Sequence, residues 1–295
     1  MSWPPLPLDA WRDTRDTLQM WMQIAGKICL ALTPRVNHFW NIAFQITPRG
    51  VMTPPMPHGG RFFTMTFDFL AHELAIETSD GARRALPLGP QTVAEFYRTL
   101  TDTLREMDLE TRIWTMPVEV PEPIRFEQDA THRSYDPDAV HRAHEALLTM
   151  KPVFDGFRAE FIGKCSPLHF FWGSFDLAVT RFSGRRAPER PGADAVTRES
   201  YSHEVISHGW WPGSGGVSEP AFYGYAAPEP DGFKTTPMQP AAAFYSTEMS
   251  IFVLPYEAVR TSPTPEADLR SFLKSTYETA ATLARWDRTS LERSQ

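Results

Sequence analysis

Residues 166–188 combine aromatic and charged side chains more densely than the rest of this sequence. Their composition is typical of a buried strand, yet they include His169, Asp176, Arg181 and Arg185. Because a buried charge needs a partner, these side chains form either a structural polar network or the wall of a pocket. In a pocket, His169 and Asp176 would exchange protons with a substrate. Arg181 or Arg185 would hold a carboxylate or a phosphate through the planar guanidinium group.

A second polar group follows at His203, Glu204 and His208. The two histidines are spaced too widely for the zinc motif that a helix presents, and Gly209 cuts the element short. On a strand, Glu204 and His208 share one face and His203 takes the other. The alternatives are therefore a buried histidine–glutamate pair and a metal site completed from elsewhere. If a metal is bound, we expect His169, His203 and Glu204 to bind it.

Asp176 also has two interpretations. It forms a buried salt bridge with Arg181 or Arg185, or it serves function in a pocket. Arg181 is five residues further along, which places it on the opposite face of a regular strand. We therefore expect Asp176 to pair with His203 or with a residue from the first part of the chain.

A third polar cluster lies at residues 131–136. Asp136 precedes Pro137, and this order predicts a helix N-cap followed by proline at the first helical position. His132 and Tyr135 have no such role, and we expect them to close over a pocket. Lys27 and Lys164 each follow a glycine, which predicts two helix ends where lysine complements the helix dipole.

Composition excludes several classes of function. The chain has 295 residues, 42% of them apolar, nine tryptophans and a net charge of −7, so it can form a core but has no basic surface for nucleic acid. No apolar run is long enough to span a membrane. Two cysteines without a CxxC motif, and no secretory signal pattern, predict a cytoplasmic protein. The residues indicate neither a cofactor nor an oligomeric state.

Hydrophobic periodicity and turn residues place these groups on secondary structure. A capping box at Thr92 and Glu95 opens one helix, and Ser79-Asp80-Gly81 predicts a hairpin turn. The other predictions are helices at 9–25, 138–150, 152–162 and 265–285, and strands at 28–32, 38–47, 61–69, 72–78 and 83–88.

The order of motifs in the first part of the chain is repeated in the second. Trp40 follows His38-Phe39, and Trp172 follows the aromatic pair Phe170-Phe171. A predicted helix ends each part. When the two parts are aligned, the segment from Trp172 to Thr180 is one residue longer than the segment from Trp40 to Thr47. One extra residue in a strand predicts a β-bulge, which we place at Gly173. We therefore predict an α+β fold of two related halves, with antiparallel sheets and packed helices. Residues 1–112 and 139–295 form the halves in one compact unit, and 113–138 form a Pro-rich connection.

Longer motifs carry a family resemblance. They are the segments at 163–164, 166–167, 169–178, 180–185, 201–205 and 211–213, together with 131–136 and 37–40. Together they resemble the bacterial domain-of-unknown-function family 5996 over almost the whole chain. The resemblance implies no established activity. His208 departs from it, because the family has a small residue there, and this argues against a mechanism that needs His208.

These observations favour a cytoplasmic enzyme acting on a small molecule. We expect acid–base chemistry from His169, Asp176, His203 and Glu204. The ligand-binding residues would be Trp172, Arg181, Arg185, Trp210, Trp211, His132 and Tyr135. The alternatives are a non-catalytic binding protein with the same aromatic pocket, a metal-dependent enzyme, and a structural module whose polar groups only pair with one another.

Overall fold

The computed structural model describes residues 3–213 and 218–293 and has an α+β fold. The first half opens with helix α1 (Arg12–Leu32) and ends with α2 (Val93–Glu106). Between them lie six strands: β1 (Gln45–Thr47), β2 (Gly50–Met52), β3 (Met56–His58), β4 (Arg61–Asp68), β5 (Glu73–Thr78) and β6 (Arg83–Pro87).

The second half opens with helix α3 (Pro137–Ala159). Its strands are β7 (His169–Phe171), β8 (Asp176–Arg186), β9 (His203–Trp211), β10 (Ala221–Ala227), β11 (Phe244–Ser246) and β12 (Ile251–Pro255). Its other helices are α4 (Ala195–Ser200), α5 (Tyr256–Arg260), α6 (Pro265–Leu283) and α7 (Arg288–Leu291). No helix in the described ranges is long and apolar enough to cross a membrane.

Both sheets are antiparallel, which confirms the predicted fold class. The first has the order β1-β2-β4-β5-β6, with β3 paired to β4, and the second has the order β11-β12-β10-β9-β8-β7. Phe44 and Phe170 exchange two backbone hydrogen bonds of 2.9 Å, which join the edges of the two sheets. Each half has the order helix, antiparallel sheet, helix. This agrees with an internal duplication, which stays a prediction, as do the domain boundaries.

Helix α1 continues past Gly26 and Lys27, so the predicted helix end there and the predicted strand at 28–32 are wrong. A Cβ placed on Gly26 would lie 2.2 Å from the indole of Trp172. Glycine is therefore required by close packing and does not end the helix. The Lys27 ammonium lies 4.7 Å from the centre of the Trp114 ring, and burial lowers the pKa of Lys27 to about 8.

Three other local predictions also fail. Residues 138–150 and 152–162 belong largely to one helix, α3, which contains Pro152. Residues 37–42 form a 3-10 turn, with left-handed backbone at His38 and Phe39, where a strand was expected. Residues 172–175 form a turn between β7 and β8 where a bulge at Gly173 was expected. Trp40 therefore precedes β1 whereas Trp172 follows β7, so these two tryptophans are not equivalent in the two halves.

Local signals with a direct hydrogen-bonding mechanism gave correct predictions. The Glu95 amide donates to Thr92 Oγ1 at 3.1 Å, and the Thr92 amide donates to Glu95 Oε2 at 2.8 Å. Strands β5 and β6 form the predicted hairpin. The final long helix, α6, begins at Pro265 as expected.

The second sheet has one face packed on helices and one open face. Strand alternation and the pairing of β8, β9 and β10 put Leu177, Val179, Trp210 and Phe222 on the helix side. The same registers put polar and aromatic residues on the open side: Asp176, Thr180, Ser207, Trp211, Tyr223 and Tyr225.

Candidate functional site

A cavity of about 730 Å³ lies on the open face of the second sheet. We call it the sheet pocket. Its floor comes from β8, β9 and β10, and its rim includes Glu119 of the Pro-rich connection, Arg190, and Met249 before β12. Residues from separate parts of the chain therefore meet around one space.

Four aromatic rings form the floor of the sheet pocket. The rings of Trp211 and Tyr223 have centroids 4.4 Å apart, and Tyr223 and Tyr225 stack at 6.0 Å. Tyr201 continues the row, with its hydroxyl 2.9 Å from that of Tyr225. A flat organic group would gain contact with these ring faces.

Asp176 lies at one end of the aromatic floor and is 5% exposed. The Tyr223 hydroxyl donates to one of its carboxylate oxygens at 2.5 Å, and the Ser174 hydroxyl donates to the other at 2.5 Å. These two hydroxyls occupy the place that we predicted for His203 or a residue of the first half. Burial raises the pKa of Asp176, and the two hydrogen bonds oppose that change.

A second carboxylate, Glu119, enters the sheet pocket from the connection. Its backbone is left-handed, with φ 56°. A Cβ on Gly173 would lie 2.9 Å from Glu119 Oε1, so the carboxylate rests against the 172–175 turn. Part of the Glu119 side chain remains exposed to solvent. Even so, the surrounding protein and the nearby charge of Asp176 raise its pKa to about 7.

Neither carboxylate has an ion-pair partner. Within the described ranges, no Lys, Arg or His side chain lies within ion-pair distance of Asp176 or Glu119, and the charge of His169 acts on Asp176 only from further away. Arg190 lines the same space, but its guanidinium carbon lies 4.0 Å from the centre of the Tyr201 ring. The aromatic floor thus already holds one cation, Arg190, by a cation–π contact. The two carboxylates of the pocket, Asp176 and Glu119, have no cation within ion-pair distance.

The structure brings two predicted site residues, Asp176 and Trp211, into the sheet pocket. His169 lies beside the pocket on β7, paired with Ala178 of β8. Its Nδ1 is 2.8 Å from the carbonyl of Pro167, and burial lowers the pKa of His169. Trp172 and Trp210 belong to the core instead, and the Trp172 Nε1 donates to the carbonyl of Ile42 at 3.0 Å.

His203 and Glu204 point to opposite sides of β9, as neighbouring strand residues must. Glu204 accepts hydrogen bonds from Arg185 at 2.6 and 3.0 Å and from Ser183 at 2.9 Å. Arg185 also donates to the carbonyls of Ala284 and Arg285 after α6. The predicted anion clamp at Arg185 is therefore engaged in holding the end of α6 against the sheet.

Arg181 lies on the helix side of β8, opposite Asp176, so the alternative of an Asp176–Arg181 salt bridge is wrong. The side chain is 2% exposed. Its guanidinium carbon lies 3.5 Å from the centre of the Phe157 ring and 4.1 Å from that of Tyr277. It donates to the carbonyl of Phe157. Burial lowers the pKa of Arg181.

His132 and Tyr135 lie against the first half and not over the sheet pocket. His132 Nδ1 is 2.7 Å from the carboxylate of Asp129, and this partner raises the pKa of His132. The Tyr135 hydroxyl is 2.9 Å from His72 Nδ1, and its ring stacks on Trp21 at 5.7 Å. Tyr135 and its neighbours line a separate open groove of about 640 Å³.

No metal site is formed by the predicted residues. In the parts of the chain that the structure describes, no group of three or more His, Cys, Asp or Glu side chains could hold a metal ion. His169, His203 and Glu204, the residues that we expected to bind a metal if one is bound, do not come together, because His203 and Glu204 lie on opposite faces of β9. His208, also considered, lies in the core with Nε2 at 2.7 Å from Thr276 Oγ1.

Sequence reasoning missed most of the residues around the sheet pocket: Glu119, Arg190, Tyr201, Tyr223 and Tyr225. One signal for two of them was present. Tyr223 and Tyr225 alternate with Phe222 and Gly224, a period of two that is typical of a strand with two different faces.

Comparison with known proteins identifies a family for nearly the whole chain. The model of a family of unknown function, DUF5996, matches residues 3–293. No curated protein and no solved structure matches the chain.

Proposed function

We propose that this chain, which belongs to the DUF5996 family of unknown function, binds a small organic molecule carrying a protonated amine in the sheet pocket. The observation that carries the proposal is the pair of carboxylates, Asp176 and Glu119, that have aromatic neighbours but no ion-pair partner. A positively charged ligand group would supply that partner. We also propose that the protein works in the cytoplasm, because its two cysteines lack a CxxC motif.

The amine would be held in two ways. Asp176 and Glu119 would accept charge-assisted hydrogen bonds from it, which are roughly twice as strong as neutral ones. The faces of Trp211 and Tyr223 would attract its positive charge, as the face of Tyr201 attracts Arg190. The rest of the molecule would lie along the floor toward Tyr225.

The first test compares three probes that differ only at the polar end: phenethylamine, 2-phenylethanol and 3-phenylpropionate. We expect phenethylamine to bind at least about 10-fold more tightly than the alcohol, because the charged contacts contribute on the order of 1.4 kcal/mol or more. The carboxylate probe should bind weakest, since it repels Glu119 and Asp176. Isothermal titration calorimetry at pH 7.5 measures all three.

Equal affinity for the amine and the alcohol would show that the carboxylates do not select the ligand. Tighter binding of the carboxylate probe would show that the pocket accepts anions instead, as the sequence-based arginine clamp implies. Either result contradicts the proposal.

A second candidate function is proton-transfer catalysis on the bound molecule, which is nearer to the enzyme favoured by the sequence. The feature that favours it is the position of Glu119 in the same cavity as Asp176. The nearby charge and the surrounding protein raise the pKa of Glu119 to about 7, and a general base works best when its pKa is close to the working pH. Asp176 and Tyr223 would then form the partner acid, joined by a hydrogen bond of 2.5 Å. Of the four predicted acid–base residues, this arrangement uses Asp176.

If Glu119 is a general base, replacing it with glutamine should slow the reaction. Mass spectrometry of a metabolite extract, before and after incubation with the protein, should show compounds consumed by the wild type. We expect Glu119→Gln to slow that consumption by about 100-fold or more, the usual contribution of a general base, while phenethylamine binds more weakly but measurably through Asp176. Consumption that is equally fast with the variant would exclude Glu119 as the base.

A further inference from the structure

A second cleft, of about 480 Å³, lies between the two halves beside α4. We call it the cationic cleft. The first half contributes Arg35 and His38. The second half contributes Lys164, Arg186, Arg198, Glu199 and His203. The cationic cleft shares no lining residue with the sheet pocket.

The charges of the cationic cleft are out of balance. Glu199, its acidic side chain, pairs with Arg35 and accepts from the backbone amide of His38 at 3.0 Å. In the described part of the chain, no carboxylate forms an ion pair with Lys164, Arg186 or Arg198. The charge of Glu199 also attracts Lys164, so one carboxylate faces four cations in this cleft, in a protein whose net charge is −7. Like charges held together in this way repel one another, and a bound anion would relieve the repulsion.

His38 is the buried group of this cleft, with 8% of its surface exposed. Its Nδ1 lies 2.9 Å from the carbonyl of Glu199, so Nδ1 carries a proton and donates it there. Its Nε2 is buried and has no hydrogen-bond partner. Most buried polar atoms have a partner, and the rings of Trp40, Phe182 and His203 pack around the imidazole of His38. The left-handed backbone at His38 and Phe39, with φ 58° at each, is a strained conformation that the Glu199 contacts hold in place.

We propose that the cationic cleft binds the phosphate group of a small metabolite and that His38 takes up a proton as the phosphate binds. Lys164, Arg186 and Arg198 surround the space from different elements, so they suit a tetrahedral anion with several acceptor oxygens better than a planar carboxylate. The negative charge of the bound phosphate would favour the form of His38 that is protonated at both nitrogens.

The proton uptake follows from the surroundings of His38. Burial and the charge of Lys164 lower its pKa, so the ring is neutral in the free protein at pH 7. Glu199 and His203 also act on His38, and Arg35, Arg186 and Arg198 line the same cleft. The pKa of His203 is also lowered by burial. A bound dianion would reverse this effect, because an opposite charge favours the protonated ring. Anion affinity should therefore increase as pH falls.

Sulfate is the best probe of this linkage, because it stays a dianion throughout the range. We expect its affinity, measured by calorimetry at constant ionic strength, to rise about 10-fold or more from pH 8 to pH 6. Glycerol 3-phosphate should bind at least as tightly as inorganic phosphate if the natural ligand is a metabolite. Binding of inorganic phosphate without glycerol 3-phosphate would overturn the metabolite assignment, and sulfate affinity independent of pH would overturn the role of His38.

Two variants locate the effect. His38→Asn keeps an amide donor for the Glu199 carbonyl and tolerates left-handed backbone, but it removes Nε2, so the pH dependence should disappear. Lys164→Met keeps the apolar stem and removes the charge, and sulfate affinity should fall about 10-fold. The control is Arg84→Met, on the exposed end of β6, which should bind sulfate like the wild type. Wild-type binding by both cleft variants, or the same loss in Arg84→Met, would overturn the site.

Discussion

Replacing Asp176 with asparagine is expected to abolish amine binding and to stabilise the folded protein. The asparagine side chain would keep the shape, with one of the Tyr223 and Ser174 hydroxyls donating to its amide oxygen and the other accepting from its amide nitrogen. The change would remove a buried charge that no ion pair compensates. We expect a gain of about 1–2 kcal/mol at pH 8, the scale of a buried charge whose desolvation hydrogen bonds compensate only in part, and a thermal midpoint higher by about 2–4 °C. Phenethylamine affinity should fall below detection by calorimetry.

The stability gain should depend on pH in a defined direction. The pKa of Asp176 is raised in the folded state by burial, so the folded protein binds more protons than the unfolded chain between the two pKa values. Wild-type stability therefore falls as pH rises through that window. Below the ordinary carboxyl pKa of about 3.9 the penalty is absent, and the variant should have no advantage there. Urea unfolding at several pH values measures the difference.

Asp102→Asn is the matched control, because Asp102 is an exposed carboxylate on α2 paired with Arg105. Its effect on stability should stay within about 1 kcal/mol, as for surface ion pairs in general. If Asp176→Asn instead loses about 3–5 kcal/mol and still binds phenethylamine, Asp176 is part of a structural ion network. The functional interpretation of the sheet pocket would then be wrong.

The largest effect on folding is expected from Gly26→Ala. A Cβ at this position would lie 2.2–2.4 Å from three atoms of the Trp172 indole. The ring is buried, and its Nε1 is fixed by the hydrogen bond to Ile42, so it cannot move aside without breaking that contact. We expect a loss of about 3 kcal/mol or more, the upper range for overpacking. The thermal midpoint should fall by about 6 °C or more.

Gly156→Ala is the control, since Gly156 also lies within a helix, α3. Its nearest neighbour across the packing would be the Arg270 guanidinium at 3.5 Å, an ordinary contact. Alanine should therefore stabilise the protein by up to about 1 kcal/mol through helix propensity. Urea unfolding of both variants distinguishes the two environments. A stabilising effect of Gly26→Ala would show that Trp172 does not pack on α1.

The sequence by itself determined those features that depend on neighbouring residues. The capping box at Thr92 and Glu95, and the hairpin of β5 and β6, follow from hydrogen bonds and turn conformations available within a few residues. Alternation along β8 placed Asp176 and Arg181 on opposite faces, and alternation along β9 separated His203 from Glu204. The α+β class follows from the same patterns.

Tertiary structure decided what each polar or small residue contacts. The hydroxyl of Tyr223 meets Asp176 because β8 and β10 both flank β9, and no local pattern specifies that pairing across 47 residues. Gly26 carries the sequence signal of a helix end, yet the helix continues because an indole from the other half fills the space beside it. Burial and partners depend on contacts between distant segments, and the free energy of those contacts outweighs local preference.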